Sequence, residues 1–290
     1  MKLKDKPFSR FNSADKATSE SKDAEKPLFE QYEKWLKDSL GIEISNGVKT
    51  QYEYITERIK IDFEKKSLFW ISLMEKLIDI HENYKINTNG YNLFNDPSKK
   101  PEFNTKPFDS FLLKTYRKNI LENDNFPKEP NGGWITPKNW MSRTNDLVRT
   151  RFVVKYIDGV SYLVDQIITQ CEQCDLKKRV DLEAKDEGYY AAHLYVYYNF
   201  EILKSNVASW DTEIIEIPVE IQITTELQEN IVNLLHKYYE GNRKKIKSKE
   251  KWQWNYKSEE FAANYLGHML HYLEGTIVEI RDKKHGGLNE

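Results

Sequence analysis

The spacing of hydrophobic positions first predicts helices in this 290-residue chain. Between residues 27 and 84, apolar residues recur every three or four positions, as in FEQYEKWLKDSL and FEKKSLFWISLMEKLIDIHENY, which is typical of amphipathic helices. The stretch 85–106 is rich in Asn, Gly, Pro and Lys and indicates a loop. Residues 110–123 again show helical spacing, and a loop with prolines and a Gly-Gly pair follows them.

Strict alternation of apolar and polar residues begins near residue 149 and predicts β-strands. The alternating segments are 149–157, 190–203 and 213–225. Helical spacing returns at 159–174 between the first two strands and at 258–281 near the end of the chain. This order predicts an α+β fold with an α/β-like arrangement, in which a mixed sheet is flanked by helices and helical additions lie at both ends.

A further helix is predicted directly after the third strand. Thr225 and Gln228 have the spacing of a capping box at its start, and Gly241 is a typical helix stop.

Changes in composition divide the chain into four segments. They are a flexible polar tail over 1–26, a helical region over 27–100, a sheet-containing domain over 101–241, and a basic linker with a C-terminal helix over 242–290. Acidic and basic residues nearly balance in the first segment, which indicates a flexible tail and not a basic arm.

Composition and charge narrow the functional classes. The net charge is −2, so an anionic partner has to be met by a local basic patch. No apolar run is long enough for a membrane helix, and the first residues lack the apolar core of a secretory signal. Only two cysteines are present, which does not suit a disulfide framework. We therefore expect a cytoplasmic protein without membrane contact.

The polar faces of the predicted strands carry candidate chemistry. Alternate side chains of a strand share one face of a sheet. The shared polar sets are Arg149, Arg151 and Lys155 on the first strand, with Asp146 just ahead of it, then Tyr189, Ala191 and His193 on the second, and Glu220, Gln222 and Thr224 on the third. If these faces coincide, two carboxylates among several cations suit a divalent metal that bridges nucleotide phosphates. The alternative is the solvated face of an ordinary antiparallel sheet.

A second group of cations surrounds the predicted helix at 110–123. Its members are Lys106, Lys114, Arg117 and Lys118, with Ser110 as the expected N-cap. Like charges three and four residues apart repel each other, which an anion bound over them would relieve. A lysine-rich solvated helix is the alternative.

Four segments in one order resemble the synthetase domain of the RelA/SpoT family, whose enzymes make the alarmones (p)ppGpp. The segments are KPFDSFLLK, DLVRTR, GYYAAH and VEIQITT, within a resemblance over residues 104–240. The matching residues are Lys106, Ser110, Lys114, Asp146, Arg151, Gly188, Tyr189, His193, Glu220, Gln222 and Thr225.

The resemblance implies a nucleotidyltransferase-like synthetase fold that transfers pyrophosphate from ATP to a ribose 3′-hydroxyl. It implies that Asp146 and Glu220 are catalytic and hold Mg²⁺, and that Glu220 assists deprotonation of the attacking hydroxyl. The implied ATP-binding residues are Lys106, Ser110, Lys114, Arg117 and Arg151. The implied acceptor-binding residues are Tyr189, which stacks on the base, His193, which contacts phosphate or ribose, and Gln222.

The chain departs from the family pattern at four positions. Asn104 replaces a basic residue, Arg149 a glycine, Ala191 a serine and Thr224 an arginine. Ala191 and Thr224 fall near the acceptor and favour an acceptor other than a free guanine nucleotide.

The amino-acid sequences of these segments resemble those of the toxic branch of small alarmone synthetases, which includes CapRel-like proteins. This implies a toxin that pyrophosphorylates the 3′-CCA end of tRNA and is neutralised by a protein antitoxin. No His-Asp dipeptide is present, so we expect no hydrolase domain of the family. The alternative within enzymes is a small alarmone synthetase that makes (p)ppGpp or (p)ppApp from GDP, GTP or adenine nucleotides. The alternative outside enzymes is a nucleotide-sensing or partner-binding module.

A basic run with interleaved aromatic residues, NRKKIKSKEKWQWNYK at 242–257, offers a surface for single-stranded nucleic acid. Lys244, Lys245 and Lys247 are the candidate tRNA-binding residues. A solvated linker whose tryptophans dock on the domain is the alternative.

Overall fold

The structure is a computed structural model that describes residues 25–203, 211–233 and 251–286. The predicted helical region is confirmed. It contains a 3₁₀ turn at Phe29–Gln31 and the helices α1 (Tyr32–Leu40), α2 (Asn46–Lys66), α3 (Leu68–Glu75) and α4 (Leu77–Asn87). Serine side chains begin two of these helices, because Ser45 accepts a hydrogen bond from the backbone of Val48 and Ser67 from that of Trp70.

The predicted helix at 110–123 is confirmed in type, but its start lies earlier. Helix α5 covers Phe108–Tyr116 and continues as a π-helical turn over Arg117–Leu121. The N-cap position is Pro107, so the prediction of Ser110 as N-cap is wrong. Phe108 and Phe111, one turn apart, are both buried, and their packing sets the start of the helix.

A mixed five-stranded sheet forms the centre of the fold. Its strands are β1 (Asn104–Thr105), β2 (Val148–Val154), β3 (Lys178–Ala184), β4 (Tyr190–Leu203) and β5 (Thr212–Thr225). Their order across the sheet is β1-β2-β5-β4-β3. Strand β2 is parallel to β5, and the other pairs are antiparallel. Three strands were predicted within a few residues of their ends, whereas β1 and β3 were missed.

Helices complete the α+β fold, and the predicted fold class is confirmed. Helix α6 (Trp140–Arg143) precedes β2, and α7 (Ile157–Gln173) connects β2 to β3. Residues 226–233 form the described part of α8, and α9 (Glu259–Gly286) ends the described chain. Half of the capping box predicted for α8 is confirmed, because the Thr225 hydroxyl accepts a hydrogen bond from the Gln228 backbone at 3.2 Å, whereas the Gln228 side chain returns no hydrogen bond to Thr225. Gly241 lies outside the described residues.

The hydrophobic core lies on one face of the sheet. Strand β5 contributes Ile217, Val219, Ile221 and Ile223, all fully buried, and the N-terminal helices and α7 pack against them in one continuous cluster. The packing of α2 is visible where the ring of Phe63 meets that of Tyr198 edge to face at 5.6 Å. The opposite face of β2, β5 and β4 is therefore left for polar side chains. None of the described helices combines the length and apolar character needed to cross a membrane.

Candidate active site

The polar faces of β2, β5 and β4 coincide. Arg149 lies opposite Glu220, which lies opposite Tyr195 on the next strand. One step along, Arg151 lies opposite Gln222, which lies opposite His193. Because residues in register share a face, these side chains form two adjacent rows across the centre of the sheet.

At one side of these rows, Asp146 is held between two lysines. Its carboxylate accepts hydrogen bonds from Lys106 Nζ at 2.8 Å and from Lys114 Nζ at 2.7 Å. The backbone fixes the position of Lys106, since its N–H donates to the Leu147 carbonyl and its own carbonyl accepts from the Tyr52 hydroxyl. Burial alone raises the pKa of Asp146, but the two ammonium groups outweigh it and lower the pKa to about 2.

Burial and charge affect the pKa values of Asp146 and Lys106 differently. The pKa of Lys106 is lowered, because burial of its side chain outweighs the attraction of Asp146, and the neighbouring cations Lys114 and Arg149 add to the effect. One negative charge on Asp146 thus faces two positive charges and neutralises them only in part. The short distances support an ionised Asp146, and the excess positive charge is felt by Lys106. This part of the site is electrostatically prepared for an additional anion.

Glu220 lies in a different environment. It is 3% exposed, and no lysine or arginine among the described residues donates a hydrogen bond to it. His193 Nδ1 lies 2.6 Å from its Oε1, the Tyr195 hydroxyl donates to the same oxygen at 3.4 Å, and Gln222 donates to Oε2 at 3.2 Å.

Tyr189 and His193 are in direct contact with each other. Tyr189 Oη lies 3.0 Å from His193 Nε2, and the rings meet edge to face. Burial raises the pKa of the Tyr189 hydroxyl to about 12, so this group carries its proton at neutral pH. The predicted contact of His193 with an acceptor stays a prediction, while the contact that the structure places at this ring is with Glu220.

Arginines complete the charged surface on β2. Arg151 donates to Gln222 Oε1 through two nitrogens, at 3.1 and 2.9 Å, and to Glu229 Oε2 at 2.6 Å. Arg149 is half-buried, and its guanidinium forms no hydrogen bond or ion pair with any residue in the described part of the chain. Its charge acts on Lys106 and on Tyr189, so it lies within electrostatic reach of both. Sequence reasoning did not include Arg149 or Glu229 among the site residues.

Other predicted residues lie apart from this group. Ser110 is exposed, and Arg117 pairs with Glu122 at 2.6 Å on the surface. Their proposed role in ATP binding stays a prediction. The candidate tRNA-binding residues Lys244, Lys245 and Lys247 lie outside the described residues.

The C-terminal helix α9 closes the sheet edge beside Tyr189. The Tyr190 ring is stacked on that of His271, with centroids 3.5 Å apart and planes 2° apart, and Tyr190 Oη lies 2.8 Å from His268 Nδ1. Gly188, with φ +76°, meets Gly267 so closely that a Cβ on either would collide with the backbone of the other segment. No local pattern in the sequence indicates this contact, because it joins residues about 80 positions apart.

The donor set fits a magnesium ion. Mg²⁺ prefers hard oxygen ligands and takes one or two carboxylates together with substrate phosphates. Asp146 and Glu220 are the carboxylates of the polar face, and the electrostatic influence of both reaches the Tyr195 hydroxyl, whose pKa is raised chiefly by burial and then by these charges. No group of three or more His, Cys, Asp or Glu side chains with metal-binding geometry exists among the described residues. The site therefore suits an ion that arrives with its nucleotide better than an ion caged by protein alone.

Comparisons with known proteins give distant similarities in structure only. No family model matches the chain, and no curated protein matches it. A GTP pyrophosphokinase family protein from Streptococcus pneumoniae is similar at 18% identity and a TM-score of 0.47, covering 82% of this chain and 93% of that one. The small alarmone synthetase 1 from Bacillus subtilis is similar at 16% identity and a TM-score of 0.48, covering 89% and 99%. A structure of that synthetase bound to its product pppGpp has a TM-score of 0.44, at 16% identity and with 88% and 99% covered. At these values the similarity carries no argument about chemistry, which has to come from the site itself.

Proposed function

We propose that this protein is an ATP-dependent pyrophosphokinase that transfers the β,γ-pyrophosphate of ATP to the 3′-hydroxyl of a nucleoside di- or triphosphate. The observation that carries the proposal is the charge arrangement of the polar face. Two lysines share Asp146, Arg149 has no counter-charge among the described residues, and the buried carboxylate of Glu220 lies directly opposite Arg149. Such a surface suits a polyphosphate next to a hydroxyl that must lose its proton.

The donor site is built from Lys106, Lys114 and Arg151. These cations bind the phosphates of ATP and stabilise the negative charge that develops on the departing AMP. Asp146 and Glu220 would hold Mg²⁺, which would supply additional charge neutralisation at the transferred group. Arg151 has to leave Glu229 to reach a phosphate, and the lysines have to share Asp146 with the incoming nucleotide.

The chemical step is an in-line displacement. The acceptor oxygen forms a bond to the β-phosphorus of ATP, the bond from that phosphorus to the α,β-bridging oxygen breaks, and AMP leaves with the electron pair. Glu220 accepts the proton of the attacking hydroxyl. Its neighbours hold it in place for this role, since His193, Tyr195 and Gln222 contact the carboxylate through hydrogen bonds.

The acceptor site is built around Tyr189 and Arg149. The Tyr189 ring offers a stacking surface for a base. Arg149 offers a guanidinium that pairs with no carboxylate in the described part of the chain, which suits the 5′-phosphates of a free nucleotide. This favours GDP, GTP or an adenine nucleotide as acceptor over the tRNA end that the sequence favoured.

A tRNA acceptor remains the second candidate. The observation that favours it is the presence of Ala191 and Thr224 where ppGpp-making relatives carry serine and arginine. Under this candidate the protein is a toxin of translation that requires a protein antitoxin.

One labelling series tests the proposal. The protein is incubated with Mg²⁺ and ATP labelled in the β-phosphate, and GDP, GTP, ADP, ATP or deacylated tRNA is added in separate reactions. We expect labelled nucleotide product together with AMP in equal amounts. Label in tRNA alone would retain the transfer chemistry and overturn the nucleotide acceptor. Absence of AMP and of labelled product with every acceptor would overturn the pyrophosphokinase.

The variant Arg149→Gln tests the acceptor site. Removing a charge-assisted contact with phosphate should raise the KM for the nucleotide acceptor roughly tenfold and leave the KM for ATP within about threefold. Lys177→Gln is the matched control, because Lys177 is an exposed cation near β3 that pairs with Glu216. An Arg149→Gln enzyme with an unchanged acceptor KM would remove Arg149 from the acceptor site.

A further inference from the structure

We infer that the hydroxyl of Tyr189 and the ring of His193 form an orienting chain that holds the Glu220 carboxylate in the geometry needed to accept the acceptor's proton. The inference rests on the proposed function and deepens it. It assigns both side chains as positioning residues that act through Glu220, in addition to any contact with the acceptor's base or ribose.

The contacts of the chain fix the protonation pattern of the imidazole. An ionised carboxylate only accepts hydrogen bonds, so His193 Nδ1, at 2.6 Å from Glu220 Oε1, is the nitrogen that carries the proton. In the tautomer protonated at Nδ1 alone, Nε2 is an acceptor, and the Tyr189 hydroxyl, 3.0 Å away, donates to it. Tyr189 thereby selects the tautomer that lets His193 donate to Glu220.

Because His193 and Glu220 are buried, losing one hydrogen bond of this chain should disturb the orientation of the carboxylate. His193 is 8% exposed and Glu220 is 3% exposed, so water has little access with which to replace a lost donor. Gln222 holds the other oxygen of the carboxylate and is itself held by Arg151. The carboxylate is thus fixed from both sides, and its remaining lone pairs are kept in one direction.

The backbone supports the same arrangement. Tyr189 precedes the first residue of β4, while His193 lies within that strand opposite Gln222. The close contact of Gly188 with Gly267 of α9 fixes the chain immediately before Tyr189. The hydroxyl therefore reaches His193 from a position that the fold determines.

Kinetics of two substitutions at Tyr189 separate orientation from stacking. Tyr189→Phe keeps the ring and removes only the hydroxyl, so kcat should fall roughly tenfold with the KM for the acceptor nearly unchanged. Tyr189→Leu removes the ring as well and should raise this KM in addition. Tyr197→Phe is the matched control, since Tyr197 lies farther along β4, opposite Pro218 and not beside His193. A Tyr189→Phe enzyme with the kcat of the unmodified protein would overturn the inference.

Two substitutions of His193 test whether a hydrogen-bond donor at this position is enough to restore kcat. The side-chain amide of His193→Asn can place an N–H donor near the position of Nδ1, whereas His193→Leu has no donor. We expect kcat to fall at least about tenfold in the leucine variant and to be partly restored in the asparagine variant. Equal loss of kcat in the two variants would contradict an orienting role.

A spectroscopic readout does not depend on catalysis. Long-range ¹H–¹⁵N correlations of the histidine rings, with His193 assigned by its absence in His193→Asn, should show a neutral ring protonated at Nδ1 in the nucleotide-free protein. Tyr189→Phe should shift this ring towards a mixture of tautomers. A ring protonated at Nε2 in the unmodified protein would overturn the inference even if the protein transfers pyrophosphate. If the ring shows the expected tautomer and no transfer occurs, the orienting chain stands and the proposed function fails.

Discussion

The two carboxylates of the polar face lie in opposite surroundings. Asp146 is enclosed by the ammonium groups of Lys106 and Lys114, whereas Glu220 accepts hydrogen bonds from His193, Tyr195 and Gln222. A carboxylate between two cations is a poor proton acceptor, because the cations stabilise its ionised form. The carboxylate of Glu220 has no lysine or arginine among its hydrogen-bond donors, and these donors hold it in a fixed direction.

Because their surroundings differ, the two carboxylates suit different steps of the proposed transfer reaction. In the proposed reaction, the Asp146 side binds charge, since its cations can be shared with phosphates and its carboxylate with a metal ion. In the same proposal, the Glu220 side accepts the proton of the acceptor hydroxyl, since its hydrogen bonds hold the carboxylate in one direction. Two residues of the same chemical class thereby differ in function through their neighbours alone.

The largest expected effect comes from neutralising each carboxylate in turn. Asp146→Asn and Glu220→Gln should each lower kcat by roughly a thousandfold, but for different reasons. Asp146→Asn should also weaken binding of Mg²⁺-ATP by at least about tenfold, whereas Glu220→Gln should leave it within about threefold. Calorimetric titration with a non-hydrolysable ATP analogue measures the difference. Equal loss of nucleotide binding in both variants would break the proposed division between the two sides.

The next effect is a loss of folding stability at acid pH that is due to Asp146. The pKa of Asp146 is lowered from 3.8 to about 2 in the folded protein, so its ionised form stabilises the fold above the unfolded pKa. This contribution, about 2 kcal/mol, is lost as the pH falls from 4 towards 2. The lowered pKa of Lys106 adds no pH dependence in this window, because Lys106 is charged in both the folded and the unfolded protein at acid pH.

Urea unfolding of the unmodified protein and of Asp146→Asn between pH 7 and pH 2 measures the acid effect. We expect the difference in unfolding free energy between them to shrink by about 2 kcal/mol as the pH falls through this window. A constant difference would mean that the two lysines do not stabilise the ionised carboxylate. Asp62→Asn is a useful comparison, because Asp62 has a lowered pKa through two cations on the same exposed helix.

The smallest expected effect concerns Glu229 and the binding of ATP by Arg151. Glu229 pairs with Arg151 at 2.6 Å and competes with a phosphate for the same guanidinium. Glu229→Gln should therefore lower the KM for ATP about two- to fivefold at low salt, and added salt should reduce the gain, because the pair is partly exposed. Glu226→Gln, three residues earlier on α8, is the control. A raised KM for ATP in Glu229→Gln would show that Glu229 supports Arg151 and does not compete for it.

Much of the fold and of the candidate site was predictable from local patterns. The period-two spacing of β2, β4 and β5 and the helical spacing of the N-terminal region mark the elements that bury one face. Strand β3 was missed because it lies at the sheet edge with Leu182 75% exposed, so burial imposes little pattern on it. The two-residue strand β1 is too short for any period. The start of α5 was misplaced because Phe108 packs into the core before Ser110 can act as a cap.

The sequence by itself determined which side chains share a strand face, because alternation along a strand follows from backbone geometry alone. It thereby placed Arg149 with Arg151 and Glu220 with Gln222. Only the tertiary structure decided which faces meet, because strand order and register depend on contacts between distant segments. The parallel pairing of β2 with β5 brings Arg149 opposite Glu220, and the antiparallel pairing with β4 brings His193 beside Gln222 and into contact with Glu220. The same long-range packing surrounds Asp146 with lysines and Glu220 with His193, Tyr195 and Gln222, a difference that no local pattern contains.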